Sequence, residues 1–410
     1  MTRPLEGITI LDLTWVLAGP YASMVLCDLG ADVIKVERPP WGDIARTTGP
    51  YQNGWSGYFF SINRGKRSIA IDLRKDEGRD LFLRMAATVD VVMENFTPGT
   101  MDRLGIGYEA LAARNPKLIF ASTSGFGQTG PYRSRPALDI VVQGMGGVMS
   151  ITGEPGRPPV RPGASYGDLV AGLYTAIGIL SALHERNASG KGQAVDISML
   201  DCQVSVLENA IMRYGVTGQA PGPLGTRHPS ATPFQAFPTA DGYVVVALGF
   251  GEENQWALFC GILGLAELID DPRFNTGPKR TALHSELEPI IATAMRQRRS
   301  RQWLDDFEAA GIPSGPVNTI PQMLDDPQVA AREMVRPVTH PVAGTIRIAN
   351  TPVRLSRSES GIKGPPPSLG QDTRDVLAEL LGVDDAQFEA LEASGVVATS
   401  GGPDIAAITG

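Results

Sequence analysis

The first 125 residues alternate short apolar runs with helical stretches, and this alternation restricts the fold more than any other feature of the chain. Ile8-Thr-Ile-Leu-Asp-Leu13 reads as a buried strand. Ala18-Gly19-Pro20 breaks it, Tyr21 to Leu29 reads as a helix, and Ala31-Asp-Val-Ile-Lys-Val36 is a second strand. Strand, helix and strand within about 30 residues make a βαβ unit, whose strands run parallel. The pattern continues through a strand at Ser68-Ile-Ala-Ile-Asp-Leu73, then a helix from Asp76 to Ala87 with Leu81, Phe82 and Met85 inward. Strands follow at Val89 to Met93 and Leu118 to Ser122. Such repetition predicts a doubly wound α/β sheet whose ligands gather at the carboxyl ends of the strands. Those ends carry Arg38, then Arg74 and Lys75, then Asn95, Phe96 and Arg103. Basic groups there suit phosphates; ordinary solvated loop charge is the plainer explanation of them.

A second feature is Gly163-Ala-Ser-Tyr-Gly-Asp168, followed by an apolar run from Leu169 to Leu183. Apolar residues fill every face of this run, which predicts a buried helix. It is shorter than the about 20 apolar residues that span a bilayer. Asp168 stands where the loop enters the helix, and one reading makes it an N-cap. The other makes it a nucleophile: helix N-terminal amides favour an anion, and Gly163 and Gly167 leave room for a ligand near the backbone. With a reference pKa near 3.9, the carboxylate is ionised at pH 7 without tuning.

At 410 residues the chain has length for about two or three domains. Apolar residues at 42% and charged residues at 20% fit a soluble globular protein. A net charge of -8 argues against nucleic acid or anionic membrane as a partner. Cys27, Cys202 and Cys260 show no paired spacing, and the four histidines are scattered, so neither a disulfide framework nor a metal site is expected. Met1-Thr-Arg-Pro-Leu-Glu leads into no signal-peptide core, so the cytoplasm, or an organelle matrix after processing, is the expected location. Glu37, at the end of the second strand, resembles the acid that holds a nicotinamide ribose. However, the turn reads Leu17-Ala-Gly-Pro20, without the glycine fingerprint.

In the second half, a helix is predicted after Ser198-Met-Leu-Asp-Cys-Gln203, running to Met212, and Gly218 to Thr232 reads as a linker rich in Gly and Pro. Gly242 to Ala247 is a strand, with helices at Gln255 to Ile269, Ser285 to Arg296 and Gln302 to Ala310. The expected organisation is a large domain over 1–202, a linker over 203–232, a small α+β domain over 233–318 and a return linker over 319–372. C-terminal helices over 373–397 then pack on the large domain, and 398–410 form a flexible tail.

Several segments occur in a recognisable order: Leu5-Glu-Gly-Ile-Thr-Ile-Leu-Asp-Leu13, Val16-Leu-Ala-Gly-Pro20, Leu29-Gly-Ala-Asp-Val-Ile-Lys-Val-Glu37 and Asn63-Arg-Gly-Lys-Arg-Ser-Ile69. Then come Glu94-Asn-Phe96, Gly146 to Gly153, Gly167-Asp168 and Gly190-Lys-Gly-Gln-Ala-Val-Asp-Ile-Ser-Met199. Together they resemble the family III CoA-transferases, which include formyl-CoA transferase, carnitine CoA-transferase and the α-methylacyl-CoA racemases. The resemblance implies a Rossmann-like doubly wound large domain, a smaller α+β domain and an interlocked homodimer. It also implies that Asp168 is the catalytic aspartate and that Val16, Leu17, Ala18, Arg38, Leu73, Arg74, Asn95, Phe96, Arg103, Arg135 and Asp139 lie near bound CoA. Formyl-CoA transferase has glutamine at the position of Leu17, lysine at that of Pro136 (with Arg133 and Arg135 beside it) and glutamate at that of Asp139. A glycine loop near Gly249 to Gly251 is expected to cover the site.

The function this implies is transfer of CoA from a succinyl-CoA-type thioester to a carboxylic acid, with a dicarboxylic acid expected. The route passes through an aspartyl anhydride and an aspartyl-CoA thioester, with oxalate a poor acceptor. Acyl-CoA and the acid are substrates, and no metal or tightly bound cofactor is called for. Three alternatives stand beside it. A racemase needs a second proton-transfer group, and Leu138 occupies the position of its histidine. The others are a nicotinamide oxidoreductase and a non-catalytic acyl-CoA binder.

Overall fold

The computed structural model describes residues 2–249 and 253–399. The chain divides into two compact units, one of Met1–Met149, Arg161–Gln219 and Ala330–Gly410, the other of Ser150–Val160 and Ala220–Val329. The first contains a seven-stranded sheet built from β1 (Thr9–Asp12), β2 (Asp32–Glu37), β3 (Arg67–Ile71), β4 (Val91–Glu94), β5 (Ile119–Ser124), β6 (Ala194–Ser198) and β7 (Val397–Ala398). Their order is β7-β3-β2-β1-β4-β5-β6. All neighbours are parallel except β7, which runs antiparallel to β3. The chain winds outward from β1 to β3 and restarts at β4 on the other side of β1. This reversal opens a crevice at the carboxyl ends of β1 and β4.

Both faces of the sheet are covered, so its central strands are largely apolar, with Asp12, Lys35, Glu37 and Glu94 as buried ionisable exceptions near their carboxyl ends. Leu11, Ile34, Ile69 and Val92 face one core with Leu81, Phe82 and Met85 of α2 (Asp76–Ala86). Ile10, Val33, Val91 and Met93 face the other, beneath α1 (Ala18–Asp28) and α4 (Tyr166–Ser189); between these two helices in the chain comes α3 (Asp139–Met145). Alternation of side chains across each strand divides the two sets.

Three expectations change. Helix α4 is not buried all round: Ala171, Gly172, Thr175, Ala176 and Ile179 face inward, while Leu173 is 44% exposed and Ile177 54% exposed. With 24 residues it is also long and apolar enough to cross a membrane by length and composition, contrary to the expected shortness. Its small-residue face packs on α1 instead. Second, the helix expected between Gln203 and Met212 begins at Glu208 and runs to Thr217, and a separate helix, Met199–Ser205, precedes it. Third, Ala398 pairs with Ala70 in the sheet and is no part of a flexible tail; residues 400–410 lie outside the described residues. The stretch 319–372 carries a hairpin, Val335–His340 with Gly344–Ala349, whose Val338, Ala343 and Ile348 pack on Phe60.

The second unit is α+β. Strands Phe234–Pro238, Tyr243–Ala247 and Ser314–Pro316 form an antiparallel sheet. Phe237, Val244 and Val246 share its core with Trp256, Phe259 and Phe307 from the helices, and the Phe259 and Phe307 rings stack at 5.6 Å.

Close approach of α1 and α4 depends on Gly172, where a Cβ would lie 2.7 Å from the Ala18 carbonyl oxygen and 3.0 Å from Tyr21 Cδ1. Alanine is the better helix former by about 1 kcal/mol, whereas forcing atoms into a packed contact costs about 1–3 kcal/mol. The clash involves backbone and cannot rotate away. Gly172→Ala is therefore expected to destabilise the protein by about 1–2 kcal/mol in urea unfolding; a stabilised variant would show that the two helices separate freely.

Candidate active site

The carboxyl ends of β1 to β4 surround a cavity of about 650 Å³. Leu13, Thr14 and Trp15 line it after β1, Arg38, Trp41 and Asp43 after β2, Leu73 and Arg74 after β3, and Phe96 after β4. Of the residues expected near CoA, the structure brings Arg38, Leu73, Arg74 and Phe96 together here. Trp15 and Phe96 meet with ring centroids 6.2 Å apart. Arg74 donates to Asp72 at 2.7 and 2.9 Å. The Arg38 guanidinium has no hydrogen-bond or ion-pair partner among the described residues, which leaves it the open cation of the cavity.

Other expected residues stand beside the cavity. Val16, Leu17 and Ala18 form the turn into α1. Asn95 spends both ends of its amide on Trp15, accepting from its N–H and donating to its carbonyl, each at 2.9 Å. It shapes the wall through that pair. Arg103 neighbours the lining residue Leu104 and donates to Thr100 Oγ1 at 2.8 Å. Arg135 is exposed and stacks over the Tyr132 ring at 3.8 Å, apart from the cavity lining. Glu37 is unavailable to a ribose: Arg46 Nε and Nη2 donate to it at 2.8 and 2.7 Å, and Ser68 Oγ at 2.7 Å. Those partners hold its carboxyl down at about 2, despite burial that alone would raise it.

Asp168 is the third residue of α4, and Ser165 occupies the N-cap position without a side-chain cap bond. The capping reading is thus corrected. The cap comes from α3: Asp139 Oδ1 accepts the N–H of Gly167 at 2.8 Å and of Asp168 at 3.4 Å. Gln143 Nε2 steadies the other oxygen at 2.7 Å, and Arg161 approaches it to 4.0 Å. Gly167 makes this possible, since a Cβ there would lie 2.8 Å from Val142 Cγ2 and 3.0 Å from Asp139 Oδ1. Its room is filled by helix packing, whereas Gly163 faces open space.

With the cap supplied by Asp139, the Asp168 carboxylate accepts no hydrogen bond and meets no cation among the described residues. Burial, and then the negative charge of Asp139, push its pKa up to about 7, so the expectation of ordinary ionisation is also corrected. Tyr58, on the helix Gly57–Asn63, belongs to no motif that singles it out in the sequence. Burial and the charges of Asp168, Asp43 and Asp139 raise its hydroxyl to about 12, which keeps it protonated as a donor near these carboxylates. The Gly249 N–H donates to Gln255 Oε1 at 2.8 Å, and Phe250 and Gly251 of the expected glycine loop lie outside the described residues. Leu138, at the racemase histidine position, is 70% exposed. The cysteines are buried and their thiols pushed up, to about 11 for Cys27 and Cys202 and about 12 for Cys260.

Residues 5–373 match the family model for CoA-transferase family III. The chain belongs to CoA-transferase family III. It is 41% identical over 396 residues to a succinyl-CoA:glutarate CoA-transferase of Mus musculus, covering 96% of this chain and 90% of that protein. It is 42% identical over 354 residues to an acetyl-CoA:oxalate CoA-transferase of Acetobacter aceti, covering 86% and 89%. A crystal structure of a CaiB/BaiF family protein from Brucella suis superimposes with a TM-score of 0.84 at 40% identity, covering 93% of this chain and all of that one. The mixed α/β fold with its largely parallel sheet, and the identification as a CoA-transferase, follow from these matches.

The environment of Asp168 also sets a stability dependence. Its folded pKa lies above the unfolded value, so the native state holds the proton more tightly and loses stability as pH rises from about 4 to about 7. Asp168→Asn in this CoA-transferase is expected to raise the thermal midpoint at pH 8, with the gain fading towards pH 4. A capping role would leave the midpoint nearly unchanged instead, because Asn caps a helix as well as Asp does.

Proposed function

We propose that this CoA-transferase moves CoA from a succinyl-CoA-type thioester to a dicarboxylic acid, with Asp168 as nucleophile. The observation that carries this reading is the carboxylate of Asp168, unpartnered and held near a pKa of 7 at the start of α4. One helical turn further, Gly172 lies against Ala18, which follows the turn beside the cavity. A basic, half-ionised carboxylate is a better nucleophile than a hydrogen-bonded one of ordinary pKa.

In the first step an Asp168 oxygen attacks the thioester carbonyl carbon. The C–S bond breaks, CoA leaves as thiolate, and a mixed anhydride remains on Asp168. The thiolate then attacks the aspartyl carbonyl carbon; the C–O bond breaks, the donor acid leaves as carboxylate, and Asp168 carries CoA as a thioester. The acceptor carboxylate attacks that carbonyl and expels the thiolate, forming a second anhydride. Thiolate attack on the acceptor's carbonyl completes the new acyl-CoA and returns the Asp168 carboxylate. No proton or electron is consumed overall.

Arg38, the open cation of the cavity, is suited to a CoA phosphate, and the protonated Tyr58 hydroxyl to a developing oxyanion. Leu17 is buried at the start of α1 and offers a methylene chain an apolar contact but gives oxalate no partner. The glutarate-using mouse relative supports an acceptor with a methylene spacer; the Acetobacter relative shows that oxalate chemistry also occurs at this level of identity. Exposed Leu173, Ile177, Ile211, Met212 and Val216 support the homodimer implied by the family resemblance.

Succinyl-CoA incubated with the protein and glutarate, malate or oxalate, with products followed by mass spectrometry, tests the assignment. Exchange to glutarate or malate at least about tenfold faster than to oxalate is expected, and loss of exchange in Asp168→Asn while CoA still binds. Formyl or acetyl transfer to oxalate without activity on succinyl-CoA would remove the substrate assignment. The acid limb of kcat should fall near pH 7 and move to lower pH in Asp139→Asn, because the charge that raises Asp168 is gone. An unmoved limb would show that another group controls it.

A further inference from the structure

Residues Leu13 to Leu17 form the crossing from β1 to α1. On one side Leu13, Thr14 and Trp15 line the cavity. On the other, the Ala18 carbonyl lies against Gly172, one helical turn beyond Asp168. Within this crossing Val16 has φ 66°. A β-branched residue is the least suited to the left-handed region, because its Cβ crowds the following carbonyl. Such a conformation persists only where the surroundings over-determine it.

The surroundings are Asp43. Its Oδ1 accepts the Val16 N–H at 3.0 Å and the Ala45 N–H at 2.9 Å. Its Oδ2 pairs with Lys35 Nζ at 2.9 Å, and Lys35 also donates to the Thr14 carbonyl at 2.7 Å. Both side chains are almost wholly buried. Asp43 belongs to the loop after β2, whose Arg38, Trp41 and Ile44 form another wall of the cavity. One carboxylate therefore fastens two cavity walls to each other and holds the strained peptide between them.

We propose that Asp43 is a positioning residue for acyl transfer: by holding Val16 in the left-handed conformation it sets the path of the chain between the CoA cavity and Asp168. The proposal rests on the reading of Asp168 as the reacting group. The plainer role for Asp43, counter-ion to Lys35, predicts something different. A counter-ion matters equally whatever residue stands at position 16; an anchor for a strained peptide matters less once glycine, which adopts that conformation freely, removes the strain.

The test is a double-mutant cycle of wild type, Asp43→Ala, Val16→Gly and the double variant, each measured for thioester exchange and for CoA affinity by calorimetry. Asp43→Ala is expected to lower kcat/KM about 10- to 100-fold beside Val16, and less than about threefold when introduced into Val16→Gly. The thermal midpoint, which follows the unpaired Lys35, is expected to stay low in both backgrounds. Equal losses of activity in the two backgrounds would overturn the proposal and leave Asp43 as a counter-ion. Should Asp43→Ala not fold, Asp43→Asn serves in the same cycle: its carbonyl can still accept the Val16 N–H, so exchange is retained while stability falls, and loss of exchange undiminished by Val16→Gly would again overturn it. If wild type exchanges no thioester, the reading of Asp168 fails on its own. The same coupling is then sought in CoA affinity, since Trp15 lines the cavity, and its absence there would count against Asp43.

Discussion

Charges buried beneath the carboxyl ends of β1 and β2 constrain the rest of the large unit. Lys66 meets Asp12 at 3.1 Å, Lys35 meets Asp43 at 2.9 Å and Arg46 meets Glu37 at 2.7 Å, with at most 7% of any of these side chains exposed. Isolated charges in such positions are prohibitively costly, and even good pairs only about break even against apolar packing. Their value is therefore geometric. Asp12 also accepts from Thr14 N at 2.9 Å and Ser23 Oγ at 2.6 Å, and Lys66 donates to the Pro20 carbonyl at 3.1 Å. The Lys35 and Glu37 pairs tie the end of β2 to the loop that follows it, and Lys66, just before β3, ties the end of β1 to the start of α1. Where a dinucleotide-binding turn would use glycines to let the backbone approach a phosphate, this chain uses buried side chains to hold a non-glycine loop open beside a cavity.

A second consequence appears at Asp168. A carboxylate near a helix start ordinarily satisfies the free amides there and stays acidic. In this protein that task falls to Asp139, which reaches the amides from α3. The division of labour leaves Asp168 without partners and beside a like charge, so the same interaction that stabilises the helix makes its third residue basic. Capping thus falls to one aspartate and leaves the other, 29 residues further along the chain, without a partner among the described residues.

Much of the fold was legible because β1 to β5 are short apolar runs bounded by turns, and α2 has a clear inward face. The sheet edges were not. β6 alternates exposed and half-buried positions, and the two residues of β7 carry no periodic signal. At the cavity, Arg38, Arg74 and Phe96 could be located at strand ends, which a parallel sheet brings together, whereas their nearness to a ligand, and Leu73 with them, came from the family resemblance. Asn95 was found for its position, but its amide braces Trp15, a pairing across 80 residues that no local pattern reveals. Asp43 and Tyr58 escaped for the same reason. Their significance lies in what they face, and no local motif marks them.

The central claim is that Asp168 forms a covalent bond to the acyl group. It is tested most directly by mixing the protein with succinyl-CoA in the absence of acceptor, quenching with hydroxylamine and mapping the modified peptide by mass spectrometry. A hydroxamate on Asp168, absent when acyl-CoA is omitted and absent from Asp168→Asn, is the predicted result. Full exchange activity with no label on Asp168 in either the acyl or the CoA form would contradict the account.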